Sequence, residues 1–264
     1  MRGIWAGLLV LAPAMAWAQS SDEIIGAHGK LWFPKIDGGF KGSTDAIGGT
    51  SVNVRDDLGL DESENGVYDV GVWFKIPMIP IRFIFTHYAG QFEASEQLQR
   101  TIIVEGQPYL VTTTVNTDFD IRAYTLMLDI GFGFGTAPVE FNVALQAGAH
   151  LFDHEIEITG AGAAVDEQAR FGLPMVGARA GVILFGMLEA FVQLQGVSTF
   201  GRSNDVDAHY YDFVFEVRWW VLNKVSVGGG YRVIEFIAEE KQSGNQDHFK
   251  VRFDGGFVSV TIRL

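Results

Sequence analysis

The chain contains no cysteine, which excludes disulfides, thiolate metal sites and cysteine nucleophiles together. Proline is scarce, at 7 of 264 residues. Cations are few as well: 19 Lys and Arg stand against 32 Asp and Glu, for a formal charge of −13. Nucleic acid binding needs clustered cations for phosphate, so that balance argues against it. After the first eighteen residues no segment sustains a helical period. What remains is rich in apolar residues (48%) and glycine (32 residues). A disordered chain lacks that apolar content, and the profile suits an all-β protein.

The first segment reads as an address. Arg2 is followed by an apolar run over 4–12, and Ala16-Trp17-Ala18 places small residues where a signal peptidase reads. This predicts a secretory signal peptide, 1–18, cleaved after Ala18. The apolar run is too short for a good membrane anchor. The remainder, 19–264, is expected to be one exported domain.

Alternation dominates that remainder. Val139, Phe141, Val143 and Leu145 alternate with Glu140, Asn142, Ala144 and Gln146. Phe213, Phe215 and Val217 alternate with Asp212, Glu216 and Arg218 in the same way. Ten strands are predicted, near 24–35, 66–75, 81–94, 117–134, 138–152, 173–185, 188–200, 208–222, 224–238 and 248–264. The connections between them alternate, short then long. All short turns therefore fall at one end and all long loops at the other. That is the layout of a transmembrane antiparallel up-and-down β-barrel with periplasmic turns and external loops, with eight or twelve strands as the neighbouring counts.

Aromatic residues gather at both strand ends. Trp73, Phe74, Phe132, Phe134, Phe141, Phe185, Trp219 and Trp220 lie beside the short turns. Phe152, Phe200, Tyr210, Tyr211, Phe236 and Phe249 lie toward the loops. The expectation is two belts where lipid meets water. Residues 173–197 are apolar enough to test as a helix with Gly177 and Gly181 in a GxxxG spacing. Arg179 would then sit in mid-bilayer, so a hairpin turning at Gly186 is preferred. In the last strand, Val258, Val260 and Ile262 alternate in one phase, while Phe249, Val251 and Phe253 hold the other. A bulge at Gly255-Gly256 is expected to reconcile them, and Gly228-Gly229-Gly230 to do similar work one strand earlier.

The first long loop holds Asp57-Leu58-Gly59-Leu60, followed by a strand and the turn Pro77-Met78-Ile79-Pro80. With the paired glycines, this order resembles a family of Gram-negative outer-membrane barrels with a Gly-Gly signature. The likeness spans most of 19–264 and is most specific over 56–83. It implies fold and outer-membrane location. It assigns no activity and no catalytic or ligand residues.

The polar faces point to a lumen. Its predicted charge network is Arg82, Asp129, Glu140, Arg179, Glu189, Asp212, Glu216, Arg218 and Arg232, with Lys75 and His150 on the same faces. Mixed-sign charges filling a narrow barrel is the simplest reading. His150 and His154 could share a strand face, but no third ligand is fixed, so they are read as solvated loop residues and no metal is expected. The acidic run Asp56, Asp57, Asp61, Glu62, Glu64 lacks calcium-loop spacing and is read as a solvated loop. Ser203 with His209 is a weak candidate for a lipid-A-modifying hydrolase. No cofactor is implied. The expected role is a non-enzymatic envelope or small-solute barrel. A narrow channel, a lipid-modifying enzyme and a soluble ligand-binding barrel are the alternatives. The expected partners are outer-membrane lipid, lipopolysaccharide and, through the C-terminal strand, the barrel-assembly machinery.

Overall fold

Strand-forming alternation runs almost without break through the computed structural model, which describes residues 24–41, 50–61, 63, 66–104, 107–160, 163–198, 206–242 and 245–264. The signal segment, Glu62, Glu64, Phe200 and Ser203 lie outside the described residues. Ten long strands form the wall: β1 Ile25–Lys41, β2 Val67–Lys75, β3 Ile81–Gln97, β4 Thr114–Thr136, β5 Val139–Gly160, β6 Ala163–Leu184, β7 Leu188–Ser198, β8 Val206–Leu222, β9 Val225–Gln242 and β10 Asn245–Arg263. Each pairs antiparallel with its neighbours in sequence, and β10 returns to β1, with Ala27 opposite Ile262 and Phe40 opposite Phe249. Closure leaves no free edge, which is what a sheet needs to span lipid.

Several strands run further toward the loops than their sequence pattern suggested. The expected loop over 153–172 is almost entirely strand, with Ile156, Ile158 and Val165 buried. The reason lies in a change of surroundings along each strand. On β5, Val139, Phe141, Val143, Leu145 and Leu151 face outward and are exposed. Further along the same face come Asp153, Glu155 and Glu157. The inward face changes the opposite way, from Glu140, Asn142 and Gln146 to Phe152, His154, Ile156 and Ile158. β4 does the same: outward Tyr124, Leu126, Ile130 and Phe134 give way to Arg122, Asp120 and Asp118. The half nearest the short turns is apolar outside and polar inside. The half nearest the loops is polar outside and apolar inside.

The apolar outer band on β4 runs from Tyr124 to Phe134. Ten residue steps of ~3.4 Å at a tilt of ~40° give about 26 Å, the height of a barrel's lipid-facing band. Placing Val139, Phe141, Val143 and Leu145 outside excludes a soluble barrel, whose apolar faces would turn in.

Two expectations are corrected by this inversion. Pairing of β10 with β1 and with β9 is unbroken through Gly255-Gly256 and through Gly228-Gly229-Gly230, so neither holds a bulge. The phase never slips; the apolar side changes from interior to exterior along the strand. Among the described residues the one register shift lies between Trp220 and Leu222, where β8 meets β9. Gly255 has a different reason to be glycine: a Cβ there would meet the Phe33 carbonyl oxygen at 2.1 Å.

The second correction concerns the upper aromatic belt. Phe152, Tyr210 and Phe236 point inward and are buried, and Phe249 packs on the same interior cluster. Of the expected belt Tyr211 does face outward, in phase with the exposed Phe213 and Phe215. The loop-side outer rim is further marked by Tyr68, Tyr124 and Tyr231, with His87 stacked on Tyr124 at 4.4 Å. Tyrosine suits that level, with an apolar ring toward lipid and a hydroxyl toward water. At the turn end, Phe74, Phe134, Phe141, Phe185 and Trp219 are outward and exposed. Trp220 points inward and is buried, and Trp73 lines the interior cavity.

Candidate functional site

The turn-side half of the lumen holds a connected set of charges. Arg82 donates to Asp129 at 3.0 Å, and Gln146 donates to the same carboxylate oxygen at 3.0 Å. Gln195 in turn donates to Gln146 at 3.0 Å. Arg179 reaches Asp129 only at 3.7 Å. Glu216, fully buried, accepts from Arg218 at 2.5 Å and Ser259 at 2.8 Å, with Lys30 at 3.1 Å. Arg232 spans two carboxylates, donating to Asp212 at 2.7 and 3.0 Å and to Asp69 at 2.8 Å. His28 lies 3.3 Å from Asp69. Glu189 accepts from Trp220 at 3.4 Å and Arg263 at 3.3 Å.

Eight of the nine charges named from sequence line one cavity of about 390 Å³: Arg82, Asp129, Glu140, Arg179, Glu189, Asp212, Arg218 and Arg232. Glu216 sits behind it, paired with Lys30 and Arg218. Lys75 lines the cavity as well. Sequence reasoning missed Lys30, Asp69, Arg263 and His28. Parity would have found all four, since His28 and Lys30 share the phase of the inward Trp32, Asp69 that of Lys75, and Arg263 lies opposite in phase to Val258, Val260 and Ile262. The cavity reaches the short-turn end, where Pro80, Ile81, Gly133 and Gly186 line it. Gly177 and Gly181 flank Arg179 for lack of room. A Cβ on them would come within 2.9 Å of Gln195 and Phe191 respectively.

Above this layer the bore is filled. Arg232 marks the boundary, its guanidinium 5.3 Å from the Trp32 ring and 4.9 Å from Tyr88. Beyond it, Phe171 stacks on Phe236 at 4.5 Å, Phe152 lies 5.2 Å from Phe171, and Phe92 lies 5.5 Å from Phe253. His150 and His154 belong here. Both are buried, not solvated in a loop: Thr125 lies 2.7 Å from His150, and His154 stacks on Phe249 at 5.2 Å. Burial among rings, set by their inward phase, is what the loop reading overlooked. Among the described residues no group of His, Asp and Glu is placed to hold a metal.

Among the described residues, two of the loop-side connections extend the same cluster. Val52, Leu58 and Leu60 of one, and Leu98, Ile102 and Tyr109 of another, are buried in it. Tyr109 donates to the Ile158 carbonyl at 3.1 Å. Asp57 is not solvated either: Arg100 donates to it at 2.6 and 3.0 Å. Burial pushes the Asp57 carboxyl up, but hydrogen bonds from Arg100 and the Asn53 N–H hold it below its ordinary value. Asp61 pairs with Arg55 at 3.3 Å, and Asp56 is exposed.

A ten-stranded closed meander with an apolar outer band has known structural counterparts. The outer-membrane protease OmpT of Escherichia coli matches with a TM-score of 0.57 at 9% identity, covering 93% of this chain and 98% of that one. This chain is an outer-membrane β-barrel. Neisserial surface protein A (TM-score 0.36, 11% identity, 91% and 97% covered) is also similar. So is the translocator domain of the autotransporter NalP from Neisseria meningitidis (0.38, 9%, 98% and 97%). No family model matches the chain, and no curated protein matches its sequence. At such identities the likeness speaks for the fold and leaves function to the barrel's own residues.

Proposed function

We propose that this barrel is a non-enzymatic envelope protein with a sealed lumen, presenting a rigid head above the membrane. The observation that carries this is the aromatic and aliphatic core filling the loop-side half of the bore. Close-packed apolar side chains leave no continuous wet path for an ion or solute. The external half is walled by strand and topped, among the described residues, by the packed connections over 50–61 and 98–113, which give it the character of a platform. Outer-membrane lipid and lipopolysaccharide are the proposed surroundings of the outer band. The C-terminal strand is the proposed handle for the assembly machinery, and the Gly-Gly barrels resembled over 56–83 are the proposed relatives.

Single-channel recording of the folded protein in planar bilayers tests the sealed state. A heat-modifiable barrel without stepwise conductance is expected. Reproducible steps from the wild-type chain would overturn it. The charged turn-side cavity favours one second reading, a narrow channel whose upper half opens. Steps that appear only after proteolytic removal of 50–61 and 98–113 would shift the assignment to it.

A further inference from the structure

The turn-side cavity is unevenly charged. Around its middle, Arg82 and Arg179 share Asp129, and Arg218 and Lys30 share Glu216. Four cations there face two carboxylates. In the same cavity Glu189 pairs with Arg263 and also faces Arg179 and Arg218, which makes five cations against three carboxylates, while Glu140 and Lys75 add one charge of each sign. Farther in, Asp69 and Asp212 share Arg232. The local excess at Arg82, Arg179 and Arg218 is therefore positive, in a chain that is strongly acidic as a whole.

Arg179 is the under-used member. Its side chain is 12% exposed, and its closest carboxylate oxygen, at 3.7 Å, is beyond hydrogen-bond reach. Its Nε is buried without a hydrogen-bond partner. Besides the long ion pair to Asp129, the guanidinium faces the Phe191 ring, 5.8 Å away, against which Arg218 also lies at 4.6 Å. A buried guanidinium nitrogen left without an acceptor is costly, and the planar fork matches the oxygens of phosphate or carboxylate.

We propose that this cavity binds a small soluble oxyanion of the phosphate or carboxylate class, entering from the periplasmic turns and held by Arg179 with Arg82 and Arg218. The volume of about 390 Å³ is in the range of small-ligand sites, and a packed core ends it on the loop side. The site is a blind pocket for binding. It stands whether or not the barrel conducts, so the recording above and the titration below can fail independently.

The test is calorimetric titration of inorganic phosphate into the full folded barrel, in a phosphate-free detergent, against chloride at matched ionic strength. Saturable one-to-one binding is expected. Arg179→Gln should weaken it ~10-fold or more through loss of a charge-assisted contact, and Arg170→Gln, on the outer wall, should leave it unchanged. Arg179→Lys keeps the charge without the fork and should fall between. If Arg179→Gln does not fold, Arg82→Lys takes its place, with a several-fold loss expected. Absence of binding above the chloride control overturns the proposal, as does equal binding by the variants. Binding of a short-chain phosphatidylglycerol with none of inorganic phosphate would assign the site to a lipid headgroup and overturn it too.

Discussion

Arg232 and Arg170 are both paired arginines in opposite settings. Arg232 is buried between Asp212 and Asp69, while Arg170 pairs with Asp153 on the outer wall with its side chain 64% exposed. Removing one partner of a buried pair leaves an uncompensated charge. Arg232→Met is therefore expected to cost ~3–5 kcal/mol, read as a lowered urea midpoint in lipid vesicles. Arg170→Ala should barely move that midpoint, because water and salt already screen the pair. Asp57 gives a pH prediction. Its folded carboxyl lies below the ordinary value, so its contribution is present at neutral pH and lost as acid protonates it. The tie to Arg100 should loosen in acid, seen as faster hydrogen exchange of the amides over 50–61. Asp57→Asn should show the faster exchange already at neutral pH and no further acid step from this site.

At the scale of the element, each long strand lives in two solvents. One strand face meets lipid and then water; the other meets a charged cavity and then an apolar core. Because the chain lacks cysteine, single introduced thiols can map that change without background. Leu145→Cys, outward and 67% exposed, should resist a charged maleimide in vesicles. Glu157→Cys, farther along the same outward face of β5, should react fully. Equal labelling of both would sink the assignment of the lipid band. Leu145→Arg is expected to cost ~2–4 kcal/mol of folding stability in the bilayer, as charges do near the midplane of a barrel's lipid face.

Much of this was legible along the strand. Parity alone puts Phe152 in phase with Glu140 and Gln146, so its inward direction could be read without coordinates. Phe253 and Val258 could likewise be read as opposite faces of one continuous strand. A bulge at Gly255-Gly256 and an outer belt at Phe152 and Phe236 follow only if each strand keeps one apolar side from end to end, and here the apolar side changes along the strand.

At the scale of the whole molecule, closure is the decisive event. β1 is held by β10 over sixteen paired positions, from Gly26 with Arg263 to Lys41 with His248. Removing 245–264 would leave β1 and β9 with open edges in lipid, where unpaired backbone groups cost several kcal/mol each. Loss of the heat-modifiable band on unboiled gels is expected, and a compact truncated barrel would contradict the closed architecture.

The amino-acid sequence by itself determined the strand number, the alternation of turns and loops, the lipid-facing set at Val139–Leu145 and the inward direction of the charges, because all of these follow from a period of two and from local turn chemistry. Only the tertiary structure decided that Arg82 and Arg179 share Asp129, that Arg232 joins Asp69 to Asp212 across 143 residues of sequence, and that the rings of β3, β4, β5, β6, β9 and β10 meet to fill the bore. Those contacts arise when the sheet closes and brings strands distant in sequence to face one another across the lumen, at distances that no strand's own pattern encodes.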